Sequence, residues 1–513
     1  MESCVIKVTA AAQRHGNLNI ASCGRGFFPG DAIGGFTKAE PGKPVTIIAD
    51  GIASPVKTDI PRDRNTGRPR WLFRKRAWVK DFVTSHHLVP GDLLRIERVG
   101  ERVYRLGIKD GLPGRLERTF LEFFAGIGLV RLGLQERGWQ LLYANDIDPQ
   151  KREMYEAHFG DSDAHFELAD IHKVDPLSVP TATLATASFP CTDLSLAGRR
   201  KGLNGGQSSS FFGFTRVLKE MGKRRPPLVL LENVPAFLTS HGGSDFYQAM
   251  RELNRLGYSV DPFMLDAKWF VPQSRPRLFV AGSMLREPKD NGHPVHATRC
   301  RTRPQPIVEF INSHVDIRWS LRELPAPPVR SSLSLSEILD DLDEDAPEWW
   351  PKERREYLYN QMSPRHQAIV KAWIRQEDWC YGTVFRRVRR QPDGHKRSMG
   401  ELRSDGLAGC LRTPKGGSGR QILFKAGFGT YAARLMTPRE CARLMGAAGF
   451  IIKAKLNQAL FGFGDAVCVP AITWIAQNYL DPLVAAASRS DAPRDKEYGR
   501  RRCANKKELP VLV

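Results

Sequence analysis

Short apolar runs alternate with helical patterns between residues 117 and 285, which predicts a doubly wound α/β sheet. The first run, 119–124, leads into the glycine turn Ala125-Gly126-Ile127-Gly128, and helical spacing follows from Leu129 to Arg137. Strand, glycine turn and helix form the arrangement of dinucleotide-type sites, because a backbone without Cβ atoms can approach a ligand. Arg131 stands where the third glycine of GxGxxG would be. The turn alone is therefore a weak signal.

Two later strands end in side chains that can do chemistry. The run Thr183 to Ala187 leads into Ser188-Phe189-Pro190-Cys191, and the run Leu228 to Leu231 leads into Glu232-Asn233-Val234-Pro235. A thiol and a carboxyl group at the tips of parallel strands can face one pocket. Such a pair suits a reaction in which a thiolate adds to a ring while an acid protonates the ring.

Acidic residues follow two other strands of this region. The strand Leu141 to Asn145 ends in Asp146, about twenty residues after the glycine turn, where an acid can accept hydrogen bonds from ribose hydroxyls. The strand Phe166 to Ala169 ends in Asp170. Helix capping is the alternative role for Asp148 and Asp170.

Six blocks follow one another along residues 117 to 482. They are Phe124-Ala125-Gly126-Ile127-Gly128, Pro190-Cys191, Glu232-Asn233-Val234, Gln273-Ser274-Arg275-Pro276-Arg277, the run from Leu435 to Gly446, and Phe463-Gly464-Asp465-Ala466-Val467. In kind and order these blocks resemble the cytosine-C5 DNA methyltransferase family. The resemblance implies a Rossmann-like methyltransferase sheet with an inserted target-recognition region and S-adenosyl-L-methionine as the cofactor.

The resemblance also implies residue roles. Cys191 is expected to be the nucleophile and Glu232 to hold or donate a proton at N3 of cytosine. Arg277 is expected to hydrogen-bond the cytosine carbonyl oxygen, and Arg275 to support the same pocket or a phosphate. The expected cofactor residues are Phe124, Ala125, Gly126, Ile127, Gly128 and Leu129, Asp146 at the ribose, Asp170 at the adenine amino group, Ile147 and Ile171 as apolar walls, and Pro190, Asp465 and Ala466.

Two positions depart from the family's pattern. Asp465 stands where the family usually has asparagine, and Thr192-Asp193 replaces a glutamine-containing sequence after the cysteine. We expect Asp465 to cap or position backbone, so that Asp465→Asn would bind the cofactor about as well as the native chain.

The charge and the cysteine content limit which partners and which cellular compartment are expected. A net charge of +21 and a pI near 9.7 favour a polyanionic partner such as double-stranded DNA. The chain shows no signal peptide and no apolar run long enough to span a bilayer, which predicts a cytoplasmic, nucleoid-associated protein of a prokaryote. The nine cysteines are scattered and predict reduced thiols, without a metal site or a disulfide framework.

Residues 1–112 are predicted to form a separate β-rich unit. Its candidate strands are Val45 to Ile48, Trp71 to Phe73, Leu93 to Val99 and Arg102 to Ile108. The run 68–78 mixes basic and aromatic residues, and the unit resembles the pseudobarrel DNA-binding domains of B-three-type plant transcription factors and restriction-enzyme effector domains. The alternative is a small structural β module with a solvated basic surface. The expected DNA contacts of this run are Arg74, Lys75 and Arg76.

The remainder of the chain completes the predicted organisation. Residues 117–285 are the catalytic domain, 286–425 the target-recognition region, 426–485 a return to the catalytic domain, and 486–513 a basic disordered tail. A loop at 195–210 is expected to close over DNA. The further expected DNA contacts are Arg199, Arg200, Lys201, Arg412 and Lys415.

The sequence therefore favours a monomeric, active DNA methyltransferase of a restriction-modification system, with a separate cognate endonuclease. An RNA methyltransferase of the same fold is one alternative, and the large variable region and the extra N-terminal unit favour DNA over it. A catalytically idle DNA reader is the other, and intact Cys191, Glu232 and Arg277 argue against it.

Overall fold

The computed structural model describes residues 2–24, 26–49, 54–85, 88, 93–108, 116–190, 210–285, 296–390, 394–413 and 419–490. The chain divides into two compact units. One comprises Met1–Leu116 with Ala485–Val513, and the other comprises Glu117–Val484.

The N-terminal unit is built on a mixed sheet, whose strand order within the described residues is β1-β4-β5-β2-β3. β2 and β5 run parallel, while the other neighbours are antiparallel. Buried and half-buried positions alternate along β2, as a strand with one face on a core requires. The elements are β1 Ser3–Lys7, α1 Ala10–His15, β2 Val45–Ala49, β3 Val56–Thr58, α2 Ala77–Ser85, β4 Leu93–Arg98 and β5 Val103–Ile108.

Two expectations about this unit are wrong. Residues 71–73, all described, form no strand: Trp71 has a φ of +48°, and Phe73 is buried against Phe28 and Trp78. Cys4 on β1 and Cys23 in the turn packed against it form a disulfide, with Cα atoms 4.9 Å apart. Sequence spacing could not indicate this pair, because the turn brings Cys23 back onto β1.

A second sheet lies in the unit Glu117–Val484, with the order β11-β12-β10-β9-β6-β7-β8 among the described strands. The strands from β10 to β8 are parallel, and β12 and β11 continue the sheet antiparallel. The strands are β6 Thr119–Phe123, β7 Gln140–Asp146, β8 Phe166–Leu168, β9 Leu184–Ala187, β10 Leu228–Asn233, β11 Ser259–Asp266 and β12 Pro276–Ser283.

Helices cover this sheet and bury their apolar faces against it. Asp148 caps α4, since its side chain accepts hydrogen bonds from the backbone of Gln150 and Lys151. The helices are α3 Leu129–Gln135, α4 Pro149–Phe159, α5 Ser210–Glu220, α6 Ser244–Arg255 and α7 Gln305–Ser313.

Arg131 has a structural role at the position of the missing third glycine. Its guanidinium is buried, bonds both carboxylate oxygens of Asp161 and the hydroxyl of Tyr155, and lies 3.9 Å from the ring centre of Phe159. Close helix packing is instead provided by Gly133, where a Cβ atom would come within 2.7 Å of Ile472.

A smaller antiparallel sheet follows, in the order β14-β13-β15-β16. It extends to Leu435, beyond the predicted boundary at residue 425, because β15 and β16 form a hairpin that pairs with β13. Its elements are α8 Lys352–Asn360, α9 Pro364–Ile374, β13 Cys380–Arg390, β14 Lys396–Arg403, β15 Ile422–Gly427 and β16 Thr430–Leu435.

Helices complete the unit after Leu435. By length and composition the helical stretch 456–487 could cross a membrane, which differs from the expectation from sequence. However, 67% of the apolar 18-residue window within it is buried, as in the core helix of a globular protein. The helices are α10 Pro438–Leu444, α11 Leu456–Asp465, α12 Val469–Ile475 and α13 Asp481–Ser490.

Candidate active site

The carboxyl ends of the parallel strands bring the predicted residues to one edge of the sheet. β6 lies between β7 and β9, so the chain runs outward on one side of β6 and returns on the other. Ligands of open α/β sheets bind at such a switch point. The strand ends there carry Phe124, Asp146, Pro190 and Glu232.

Glu232 and Arg277 form an ion pair at this edge. Arg277 Nε lies 2.9 Å from Glu232 Oε1, and the two side chains are 15% and 11% exposed. Burial raises the pKa of the Glu232 carboxyl above its ordinary value, although Arg277, Arg275 and a hydrogen bond from Ser188 oppose the shift. A carboxyl group with a raised pKa keeps its proton to higher pH than an ordinary carboxyl group does, as the predicted acid requires.

Asn233 joins the ends of β9 and β10, a role that the sequence analysis missed. Its Nδ2 donates to the carbonyl of Phe189 at 3.3 Å, and its Oδ1 accepts from the backbone of Val234 at 2.8 Å. These bonds hold the segment before Pro190 beside Glu232. Cys191 itself lies outside the described residues.

Arg275 holds neighbouring parts of the protein in place. Of its two expected roles, this agrees with support of the pocket rather than with a phosphate contact. Its side chain is buried and donates to the carbonyls of Leu411, Gly464 and Ala466, and to Cys410 Sγ at 3.3 Å. These donors are used within the protein, so the structure does not favour a phosphate contact. Arg275 instead fixes the segment 464–466 against β12.

The glycine turn has the backbone conformation of a ligand site. Phe124, Gly126 and Gly128 have φ angles of +57°, +58° and +81°. Left-handed backbone at Phe124 is costly for a residue with a Cβ atom, and such strain concentrates at functional sites. A Cβ atom at Gly128 would collide with Phe159 at 2.5 Å, whereas one at Gly126 would meet, among the described atoms, only Lys151 Cδ at 4.0 Å. The space in front of Gly126 therefore suits a ligand.

Asp146 is tied to this turn. Its Oδ2 accepts from the backbone of Gly126 at 2.8 Å, and its Oδ1 accepts from the backbone of Asp148 at 2.9 Å. Each carboxylate oxygen keeps a further lone pair, so Asp146 can still accept from ribose hydroxyls.

The other expected cofactor residues differ in what they expose. Ile147 is 64% exposed and can form an apolar wall, whereas Ile171 is 4% exposed and packs into the core, so its role as a wall is not supported. Asp170 Oδ1 accepts from the backbone of His172, and within the described residues no partner is seen for its second oxygen. The side chains of Ala125, Ile127 and Leu129 are buried, so only their backbone can face a ligand.

Within the described residues, the Asp465 side chain pairs with Lys151 and shows no hydrogen bond to backbone, which differs from the expected capping role. Its Oδ2 lies 2.9 Å from Lys151 Nζ, on the helix that follows Asp146. Replacing Asp465 with asparagine would remove a charge partner from Lys151, so we no longer expect that substitution to be neutral.

Glu122 lies buried within β6, beneath the turn. Burial raises the pKa of its carboxyl from 4.5 to about 8, against an opposing hydrogen bond from the backbone of Arg131. Its Oε2 has no hydrogen-bond partner among the described residues. A neutral carboxyl group is therefore favoured at this position.

We predict that Glu122 makes the free energy of unfolding depend on pH. The folded state holds its proton up to about pH 8, so the contribution is fully present below the unfolded pKa of 4.5 and is lost as pH rises through 8. The loss approaches about 1.4 kcal/mol per pH unit within that window. The free energy of unfolding of Glu122→Gln, measured with urea at several pH values, should change less with pH than that of the native chain. Equal slopes of unfolding free energy against pH would contradict the proposed role of Glu122.

The expected DNA contacts fall into different environments. Arg74 is committed within the protein, since it pairs with Asp59 at 2.8 Å and donates to the carbonyls of Gly35 and Thr37. The structure therefore does not support a DNA contact for Arg74. Lys75 and Arg412 are exposed, and Arg76 is half-buried. Arg199, Arg200, Lys201 and Lys415 lie outside the described residues.

Comparison with known proteins identifies the family. Residues 118–481 match the C-5 cytosine-specific DNA methylases. The chain belongs to this family. The Type II methyltransferase M.SsoII of Shigella sonnei is 27% identical over 378 residues, covering 71% of this chain and 80% of that enzyme. M.DsaV of Dactylococcopsis salina is 27% identical over 364 residues, covering 70% and 85%. The crystal structure of S. pombe Dnmt2 methyltransferase aligns with a TM-score of 0.46 at 15% identity, over 71% of this chain and 98% of that one.

As a member of this family, the protein is a DNA (cytosine-5-)-methyltransferase, and its substrate is DNA. The family assignment confirms the predicted Rossmann-like methyltransferase fold and implies a methyl donor. The matched residues begin after the N-terminal segment Met1–Leu116, so the family assignment does not extend to that segment.

Proposed function

We propose that this enzyme methylates C5 of a flipped cytosine within a specific duplex sequence, as the modification enzyme of a restriction-modification system. The ion pair of Glu232 with Arg277 beside Pro190 is the observation that carries the proposal. S-adenosyl-L-methionine is the proposed methyl donor, and the open space at Gly126 with Asp146 beside it supports this choice. We further propose a monomeric cytoplasmic protein whose cognate endonuclease is a separate chain.

The proposed chemistry divides between a nucleophile and an acid. C5 of cytosine is too weak a nucleophile to take a methyl group directly, and a thiolate from Cys191 adds to C6 to make the ring an enamine. Glu232 holds a proton at N3, which relieves the negative charge that forms during this attack. Arg277, oriented by Glu232, donates to the cytosine carbonyl oxygen. When bound, the cofactor would supply the electrophilic methyl group to C5. A base such as water then takes the C5 proton, and the electrons of that C–H bond re-form the C5–C6 double bond as the C6–S bond to Cys191 breaks.

The target cytosine must leave the duplex before it can enter the active site. The loop 195–210, with Arg199, Arg200 and Lys201, is the proposed element that closes over the DNA, and Arg412 and Lys415 are proposed contacts in the target-recognition region. The N-terminal unit is proposed to add phosphate contacts through Lys75 and Arg76, in the manner of a B-three-type DNA-binding domain. The charge of +21 supports a broad phosphate interface.

The N-terminal proposal predicts a change in salt dependence. Each phosphate contact steepens the plot of log affinity against log salt by about 0.9. Replacing Lys75 and Arg76 together with alanine should therefore flatten the slope by up to about 2, while Lys57→Ala, at an exposed site on β3, serves as the matched control. Equal slopes for the double variant and the native chain would instead favour the alternative, in which the unit is a structural β module.

A transfer assay with methyl-labelled S-adenosyl-L-methionine tests the proposed function. Purified enzyme should place the label in 5-methylcytosine of duplex DNA and leave RNA unlabelled. Label found in RNA alone would favour the RNA methyltransferase alternative. DNA binding without any labelled product would favour the idle reader.

A further inference from the structure

A thiol lies beside the two arginine side chains of the segment 273–277. Cys410 Sγ is 3.3 Å from Arg275 Nη1 and 4.0 Å from Arg277 Nη2. We propose that Cys410, as a thiolate, supplies the negative charge that faces these two guanidinium groups while Glu232 holds its proton. Cys410 is then a positioning residue, because it acts on the cytosine only through Arg277 and Glu232. The inference rests on the proposed function, since it concerns the acid of that reaction.

The charge of Arg275 needs an anionic partner that carbonyl groups do not supply. Its side chain is 2% exposed, and its described hydrogen-bond acceptors are three backbone carbonyls and Cys410 Sγ. A buried cation is costly unless an opposite charge lies close to it. Burial and Arg277 lower the pKa of the Arg275 guanidinium, whereas Cys410, Glu232 and Asp465 oppose that shift. Within the described part of the chain, Cys410 is the ionisable group in hydrogen-bond contact with Arg275.

The surroundings of Cys410 favour the thiolate. Burial acts to raise the pKa of its thiol, yet Arg275, Arg277 and Arg412 lower that pKa below the ordinary value. Cys468 shows the contrast, because burial raises the pKa of its thiol to about 12 even though Arg275 and Arg277 act to lower it. The direct contact with Arg275 distinguishes Cys410 from Cys468.

A thiolate at Cys410 changes which form of Glu232 is favoured. Arg277 Nε lies 2.9 Å from Glu232 Oε1, and an unshared positive charge at that distance favours the ionised carboxyl group. A thiolate that also faces Arg277 weakens this preference, so Glu232 keeps the proton that it gives to N3 of cytosine. Once the proton has left, the Glu232 carboxylate pairs with Arg277.

The segment that carries Cys410 is held in place without the thiol. The backbone of Ser274 donates to the carbonyl of Ala408 at 2.9 Å, and the backbone of Leu411 donates to Gln273 Oε1 at 3.0 Å. Substitution of the Cys410 side chain removes neither bond, so we expect variants at this position to fold.

The pH profile of single-turnover methyl transfer tests the inference. Cys410→Ser keeps the size of the side chain but not the anion, so the fall in rate with rising pH should move to lower pH by about one unit. Cys410→Asp restores an anion and should return the profile toward that of the native chain. The matched control is Cys300→Ser, at an exposed thiol, which should leave the profile unmoved.

A second measurement reports the thiolate itself, through its ultraviolet absorbance. Across the pH range of the profile, Cys191→Ser should show the absorbance of one thiolate more than the double variant Cys191→Ser with Cys410→Ser. Equal absorbance would mean that Cys410 is protonated and would overturn the inference.

The outcomes separate this inference from the proposed function. A profile that Cys410→Ser does not move, or that Cys410→Asp does not restore, would overturn the role of Cys410 while DNA methylation by the native chain stands. A thiol with a purely structural role is replaced better by serine than by aspartate, so rescue by aspartate identifies the charge. A native chain without methyl transfer would overturn the proposed function together with this inference.

Discussion

Replacing Cys191 with serine should abolish methyl transfer and leave DNA binding largely intact. A serine hydroxyl ionises far less readily than a thiol, so it cannot supply the anion that adds to C6. The measurement is a single-turnover rate with saturating cofactor and duplex, alongside a DNA-binding assay.

A matched cysteine change makes this test specific. Cys380→Ser, on β13 of the smaller sheet, should keep the native rate. If Cys191→Ser retains more than a few per cent of the native rate, Cys191 is not the nucleophile.

Replacing Glu232 with glutamine should slow the chemical step by about a hundredfold or more, since proton transfer from a positioned acid contributes at least that much. Glutamine keeps the size of the side chain and can still face Arg277, whose Nε lies 2.9 Å from Glu232 Oε1, but it cannot transfer a proton to N3. Single-turnover rates report this step directly.

The pH profile provides a second readout for Glu232. Burial raises the pKa of its carboxyl, so the active protonated fraction falls as pH rises through that pKa. The native rate should show this fall with rising pH and Glu232→Gln should not. Glu220→Gln, at a half-exposed carboxyl on α5, is the matched control. An unchanged single-turnover rate in Glu232→Gln would contradict the acid assignment.

The sequence predicted the parts of the site that depend on strand ends. Asp146, Pro190 and Glu232 follow apolar runs, and parallel pairing brings the carboxyl ends of such runs together. Arg277 reaches this edge from the antiparallel strand β12. The family resemblance implied its role at the cytosine but indicated neither the strand direction nor the ion pair with Glu232.

The roles of individual charged side chains were harder to predict, because they depend on partners distant in the chain. Arg74 and Arg275 both looked available for phosphate, yet each is held by backbone carbonyls that only the folded chain brings near. Asp465 was expected to act on backbone, and its partner is Lys151. A basic residue in a pattern shows that a charge is present, while its hydrogen-bond partners decide its function.

Bisulfite sequencing of DNA from a host that expresses the enzyme tests the central claim most directly. The account predicts converted cytosines throughout, except for one protected cytosine within a recurring short sequence. A parallel host expressing Cys191→Ser should show no protected site. Full conversion of every cytosine in the host with the native chain would contradict the assignment of an active, sequence-specific cytosine-C5 DNA methyltransferase.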